Sequence, residues 1–378
     1  MPRPATDRSS RLSALPPRST IGILGGGQLG RMLVQAASRL GLRAHVYADD
    51  SGPAFDIASS HSIGAYNSFA RLDEFARSVD VVTYEFENVP VDAAEHLNAL
   101  VPVRPGPKAL AVAQDRIVEK TFISGLAVPV APFVAVRTPD ELDSALAVLT
   151  GWSSRAILKT ARLGYDGKGQ AEIVTPDQLA AAFERLGSVP CVLEKRIGFA
   201  FEISVLVVRG GDGAVAFYDI PRNSHEGGIL RRSIVPAGIP WEIEQQARTM
   251  ARRIAEALDY VGVLAVEMFY LGSDAAIPLM VNEIAPRVHN SGHWTMDACA
   301  IDQFENHIRA VAGWPLASTH RHSDAEMVNL IGPEADDWLR LASDPEACLH
   351  LYGKREARPG RKMGHINRLR PRSPGGAS

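Results

Sequence analysis

The chain has 378 residues, enough for two or three domains and a large core. Hydrophobic residues make up 46%, charged residues 22%, and the formal net charge is -3, a balance that fits an ordinary globular protein and argues against a nucleic-acid binder. No apolar run is long enough to span a bilayer. The 3 cysteines, Cys191, Cys299 and Cys348, are too scattered for a disulfide framework or a clustered metal site and fit a reducing cytoplasm.

Residues 1–19 are rich in Pro, Ser and Arg and lack the apolar stretch of a secretory signal, so they are expected to form a disordered arm, as is the tail 370–378. Next comes "IGILGGGQLGRM", where Gly25, Gly27 and Gly30 have the spacing of a dinucleotide-binding turn between a β-type run and a helix over about Gln28–Leu40. Asp49 follows the strand "RAHVYA", where such folds carry a ribose-binding carboxylate. A third strand, "VDVVTYEF", ends with Glu85 and Glu87 at the edge where a pyrophosphate would lie, and carboxylates disfavour it there. The βαβ alternation predicts a parallel sheet flanked by helices. Pro105 and Pro107 mark a linker and a boundary near residue 105.

The middle of the chain reads as α+β with antiparallel hairpins, and helices are expected at about Pro176–Leu186 and Glu242–Leu258. "KTARLGYDGKGQ", Lys159 to Gln170, joins two strands through a glycine-rich loop. It is not a Walker loop, because Gly169 follows Lys168 and no helix opens there. Such a loop can fold over phosphates with backbone N–H donors, although from these residues alone a simple hairpin tip fits equally well.

In "VLAVEMFY" and "PLMVNEIA", each strand carries one carboxylate within an apolar run. Period-two alternation puts Glu267 on the face of Ala265 and Phe269, and Glu283 on the face of Val281. Asn282 then faces the other way unless the strand is already ending. A buried carboxylate needs a partner. Salt bridges would serve, but two carboxylates on adjacent strands suit Mg²⁺ better. "PCVLEKRI" ends in Glu194 and Lys195, with Glu202 following in "FEISV". This can be an adenine and ribose edge or merely a solvated one.

"APRVHNSGHW" spaces His289 and His293 four apart. A zinc helix is rejected, because Pro286, Asn290, Ser291 and Gly292 disfavour the helix and no Glu adjoins His289. Arg287, His289 and Asn290 in a loop suit a small planar oxyanion. The last third offers short strands in "MVNLIG", "LHLYG" and "MGHINRL". Between the last two, Lys354, Arg355, Arg358, Arg361 and Lys362 form a basic run that suits a phosphate or a solvated loop.

In this order, "GGGQLGRM", "LGYDGKGQ", "GILRRS", "NEIAPRVHNSGHW" and "RPGRKMGHIN" resemble the ATP-grasp superfamily from about Thr20 to Leu369. Within it the chain resembles the N5-carboxyaminoimidazole ribonucleotide synthases, purine-biosynthesis ligases of bacteria and fungi. The resemblance implies a mixed α/β and α+β ATP-grasp architecture. Its parts are a Rossmann-like pre-grasp domain at 20–115, a central lid at 116–200, and a C-terminal ATP-grasp domain at 201–369 with a small terminal subdomain.

It further implies that ATP, bicarbonate and 5-aminoimidazole ribonucleotide are substrates, that Mg²⁺ is required and NAD is not, and that the enzyme is a cytoplasmic homodimer without nucleic-acid or membrane partners. Carried over by residue, Arg116, Lys120 and Lys159 lie near the phosphates. The loop Gly164, Tyr165, Asp166, Gly167, Lys168, Gly169 and Gln170 closes over them, with Tyr165 and Asp166 also reaching the ribonucleotide. Glu194, Lys195, Arg196 and Ile197 line the adenine pocket, Glu202 takes the ribose, and His225 lies at the nucleotide. Glu267 and Glu283 hold Mg²⁺, and Asn282 and Glu283 belong to the ATP site. Arg287, His289 and Asn290 face bicarbonate and carboxyphosphate. Gln28, Leu29, Glu85, Lys354 and Arg361 face the ribonucleotide, and Lys354 is also expected at the chemistry. Rival readings are an NAD oxidoreductase, a formate-using ATP-grasp ligase, and a non-catalytic nucleotide-binding regulator; the last would be expected to lack Glu267 or Glu283.

Overall fold

The computed structural model describes residues 14–152, 155–164 and 168–373. Three sheets organise it. The first is parallel, in the order β3-β2-β1-β4, from β1 (Thr20–Leu24), β2 (Arg43–Ala48), β3 (Ser60–Ile63) and β4 (Val81–Tyr84). All residues of β4, and all but Thr20 of β1, are buried, as a sheet covered by helices requires. The helix Gln28–Arg39 turns Met32, Leu33, Ala36 and Ala37 inward.

The second sheet is antiparallel and small, in the order β5-β8-β6-β7, from β5 (Phe133–Val136), β6 (Ala156–Thr160), β7 (Gln170–Ile173) and β8 (Cys191–Lys195). Helices Leu142–Trp152 and Gln178–Arg185 cover its core face.

The third sheet has 9 strands and is antiparallel. It uses β9 (Phe201–Arg209), β10 (Val215–Phe217), β11 (Arg222–Glu226), β12 (Ile229–Val235), β13 (Gly262–Tyr270), β14 (Leu279–Ala285), β15 (Ser323–Ile331), β16 (Ala347–Leu351) and β17 (Lys362–Pro371). The order is β14-β13-β9-β11-β12-β15-β17-β16, with β10 added to β9, so the three C-terminal strands continue the large sheet. One face packs Val205, Leu264, Val266 and Met268 against the helix Trp241–Ala257. The other packs Leu206, Val263 and Ala265 against the helix Gln303–Val311 and the first domain.

The expected disordered ends are shorter than their composition implied. Leu15 donates its N–H to Ala312 (2.9 Å), accepts the Trp314 indole N–H (2.7 Å) and packs on the core, so ordered chain starts well before residue 20. At the other end β17 runs on to Pro371, and the Ser373 N–H reaches Asp324 at 3.1 Å. A few backbone and apolar partners suffice to fix such segments. The rest of both expected disordered ends, 1–13 and 374–378, lies outside the described residues. Among the described residues no helix is long and apolar enough to cross a membrane.

Candidate active site

The glycine turn binds an anion, and that anion is the protein's own. The Glu85 carboxylate, just beyond β4, accepts the N–H of Gly27 at 2.6 Å and of Gly30 at 2.9 Å. It thereby fills the helix N-terminus where a dinucleotide would place its pyrophosphate. Gly25, at φ +108°, has no room for a side chain, since a Cβ would lie 2.4 Å from Glu85 Cγ. Burial raises the Glu85 pKa despite these two hydrogen bonds and the neighbouring Arg287 and Lys354. Asp49 is exposed beyond the end of β2. Gln28 is half-buried at the helix start, while the Leu29 side chain packs into the core.

The paired carboxylates sit on the hairpin β13–β14. Glu267 and Glu283 are direct cross-strand neighbours, on the face that carries Ala265 and Ala285. The alternation that grouped Glu283 with Val281 fails. Met268 pairs with Val281, leaving Asn282 as an extra residue in β14, a bulge that reverses the facing of everything before it. Val281 therefore joins Met268 in the opposite core. Burial and the charge of Glu267 raise the Glu283 pKa. For Glu267, burial acts upward, but His289, His225 and Lys362 outweigh it and hold the carboxyl at about 2. Two half-buried acids with one resisting ionisation form a natural cation site. Glu202, His225 and Glu267 also bring ligand atoms within 4.8 Å of one another. The Glu202 carboxylate meets His225 Nδ1 at 2.6 Å and, despite opposing burial, raises the His225 pKa.

Glu194 is no solvated edge. It is buried, and Lys120 and Lys159 each donate to its Oε2 at 3.2 Å. Among the described residues its Oε1 has no hydrogen-bond partner. Lys120 also reaches the Asn282 carbonyl at 3.2 Å. Beyond Glu194, Lys195 closes β8, Arg196 lies 3.4 Å from Glu172, and Ile197 is half-buried at the strand exit. Arg116 fixes the base of the glycine loop by donating to the carbonyls of Thr160 (3.1 Å) and Gly164 (2.8 Å). Thr160 in turn bonds the Gly169 carbonyl at 2.8 Å, next to Lys168 and Gln170. Tyr165, Asp166 and Gly167 lie outside the described residues.

The loop after β14 is not helical through His289 and His293, as its composition predicted, and only Asn290–Gly292 form a single tight turn. Arg287 forms an ion pair with Glu87 of the first domain, which keeps the Glu87 carboxyl at about 2 against the upward effect of burial. His289 Nε2 lies 3.0 Å from Glu267 Oε1. Gln303 holds the His289 backbone on both sides, accepting its N–H at 2.9 Å and donating to its carbonyl at 2.7 Å. Asn290 exchanges two hydrogen bonds with Asn329, at 3.0 and 2.7 Å.

Glu87, Arg287, His289 and Asn290 line one cleft, together with Arg116, His225, Glu267, Glu283 and Lys362. Lys354 donates to the Lys362 carbonyl at 2.6 Å and raises its ammonium over the Tyr352 ring, while Arg361 bonds the Glu356 carbonyl at 3.1 Å. Neither cation is part of the cleft wall, nor are Gln28 and Leu29.

Sequence reasoning did not select Glu119 or Gln303, and it named Lys362 only as part of the basic run. Glu119 is buried, accepts the Ile284 N–H at 2.7 Å, and is pushed up to about 8 by burial and then by Glu283. It sits one residue before Lys120 in "QDRIVEK", where it reads as an ordinary polar helix position, so only packing reveals its role.

A small antiparallel sheet and a large one, with a phosphate-type loop between strands and carboxylates facing the cleft, define an ATP-grasp ligase. The ATP-grasp domain model matches residues 121–304, the ribonucleotide synthetase preATP-grasp domain 18–114, and the phosphoribosylaminoimidazole carboxylase C-terminal domain 325–373. The N5-carboxyaminoimidazole ribonucleotide synthase of Brucella melitensis is 48% identical over 96% of this chain and 99% of its own. The solved synthetase of Thermus thermophilus is 45% identical, with a TM-score of 0.85 and 93% of each chain covered. The Aspergillus clavatus synthase, solved with ADP and 5-aminoimidazole ribonucleotide, is 32% identical, with a TM-score of 0.87 and 94% and 95% coverage. The chain belongs to the N5-carboxyaminoimidazole ribonucleotide synthase family.

Proposed function

We propose that this chain uses ATP and bicarbonate to carboxylate the exocyclic amine of 5-aminoimidazole ribonucleotide, releasing ADP and phosphate, in de novo purine synthesis. The observation that carries this reading is the convergence on one cleft of the Glu267–Glu283 pair, the Arg287–His289–Asn290 loop and Glu87 of the glycine-turn domain. ATP chemistry on one side can thus meet a small anion and a second substrate on the other.

Bicarbonate is a poor electrophile, because delocalised negative charge shields its carbon. Transfer of the ATP γ-phosphoryl group gives it a leaving group, and the carboxyphosphate so formed, or the CO₂ it releases, meets the amine. Glu267 and Glu283 would hold Mg²⁺, which supplies charge neutralisation at the transferring phosphoryl group. Lys120 and Lys159 are held ready by Glu194 for the nucleotide phosphates. The glycine loop, Gly164 to Gln170, excludes water from an unstable intermediate. Arg287 and His289 orient the anion. Lys354 and Arg361 are assigned to the ribonucleotide side, with Gln28, the main chain at Leu29, and Glu85. The family resemblance also implies a cytoplasmic homodimer.

The test is ADP release from enzyme, Mg²⁺ and ATP, with bicarbonate or formate compared, with and without the ribonucleotide. ADP formation stimulated by the ribonucleotide and dependent on bicarbonate is expected. Formate-dependent release would assign the chain to a different ATP-grasp reaction, and no stimulation by the ribonucleotide would sink the proposal.

A further inference from the structure

Beneath His289 a row of buried polar side chains crosses the large sheet. Ser233 on β12 donates its hydroxyl to Asn223 Oδ1 (2.7 Å), and Asn223 Nδ2 on β11 donates to Ser204 Oγ on β9 (3.0 Å). Ser204 Oγ lies 2.6 Å from Ser291 Oγ, and Ser291 Oγ lies 2.8 Å from His289 Nδ1. All four of these residues are buried. On the far side of the ring, Nε2 meets Glu267 at 3.0 Å.

Hydroxyl protons and amide orientation can be reversed, so the row alone has no fixed sense. One member cannot be reversed. The backbone N–H of Ser291 also points at His289 Nδ1, at 3.3 Å, and a backbone N–H only donates. Nδ1 must then be an acceptor and the ring proton must sit on Nε2. The Ser291 hydroxyl then donates to Nδ1 as well, Ser204 donates to Ser291, and Asn223 donates to Ser204. The Asn223–Ser233 bond, with the Ser233 hydroxyl donating to Asn223 Oδ1, runs in the same direction. Every donor in the row points towards the cleft.

We propose that Ser291, Ser204 and Asn223 are positioning residues that lock His289 as the Nε2–H tautomer, so that the ring edge facing Glu267 and the cleft carries a hydrogen-bond donor rather than a vacant base. This extends the carboxylation reading, in which His289 faces the anion, and assigns His289 to binding and charge stabilisation, with proton removal left to another group. Buried second partners of this kind fix a ring's tautomer and orientation, and losing one commonly lowers activity by about 10- to 100-fold.

The test is nitrogen NMR of the full chain labelled at histidine, with the His289→Gln variant used to assign the signal, recorded alone and with Mg²⁺ and ADP. A bare Nδ1 and a protonated Nε2 are expected in the parent protein. A protonated Nδ1 would overturn the proposal, and this measurement needs no variant beyond the one used for assignment and no substrate to turn over. Failure of the carboxylation assay is therefore distinguishable from failure of this inference. In Ser204→Ala the tautomer signature should broaden or shift, kcat should fall by roughly tenfold, and the KM for ATP should stay within about twofold. Ser204→Thr, which restores the hydroxyl, should recover both. Asn223→Asp accepts but cannot donate, and should move the signature towards protonated Nδ1. If Ser204→Ala keeps both the parent signature and the parent kcat, the row does not position His289.

Discussion

His307 joins the two large domains and is fully buried. Its Nδ1 accepts the Val263 N–H at 3.1 Å from β13, and its Nε2 meets Thr83 Oγ1 of β4 at 2.8 Å. The ring therefore has to stay neutral, and burial pushes its pKa from 6.5 down to about 3. An unfolded chain takes up a proton near pH 6.5, whereas the folded chain does not until far lower pH. Stability from this residue is thus complete above pH 6.5 and is lost as pH falls towards the folded value. At about pH 5 the loss is roughly 1.5 pKa units, or about 2 kcal/mol, and it depends little on the folded pKa so long as that lies well below 5.

Other groups titrate in the same range. His293 and His365, both lowered by burial, act in the same direction, while Glu119, Glu85 and Glu283, all raised by burial first, act in the opposite one. The comparison with a variant removes them. His307→Gln keeps an acceptor for Val263 and a donor for Thr83 but cannot titrate. Urea unfolding followed by tryptophan fluorescence, at about pH 7 and about pH 5, should show the parent protein losing about 2 kcal/mol more than the variant. Equal losses in both proteins would refute the buried neutral histidine as the cause.

Glu85→Ala strands the Gly27 and Gly30 N–H groups at the helix start, so urea unfolding should show a loss of about 2–6 kcal/mol, from roughly 1–3 kcal/mol for each of the two unsatisfied donors. Glu283→Gln relieves its repulsion with Glu267, so the ligand-free protein should melt no lower than the parent, while the Tm rise given by Mg²⁺ and ADP should largely disappear. Lys354→Ala should raise the KM for the ribonucleotide by at least roughly tenfold with the KM for ATP unchanged, since a charge-assisted hydrogen bond is worth about 1.5–3 kcal/mol; an unchanged ribonucleotide KM would remove Lys354 from that side of the site.

Residue order alone established the parallel first sheet, the glycine turn, the strand–glycine loop–strand unit and the hairpin carrying Glu267 and Glu283. Each of these is written in local periodicity, in glycine placement or in proline punctuation, which act over a few residues. Local pattern also excluded a zinc helix at His289 and His293. The motifs in sequence pointed to the ATP-grasp superfamily when the glycine fingerprint by itself pointed to NAD.

Tertiary structure decided what each of those pieces meets. Glu85 lies 55 or more residues from the amides it caps, so that only the closed sheet shows the glycine turn's anion site to be filled from within. The Asn282 bulge depends on how β14 pairs with β13, and one extra residue there moves Val281 to the opposite face from Glu283. Glu119, Gln303, and the row from Ser233 to Ser291 beneath His289 are polar residues without local pattern, and burial alone gives them partners and a direction. Periodicity fixes which way a side chain points along its own strand or helix; charge pairing, tautomer and acidity belong to whatever the remaining chain packs against it.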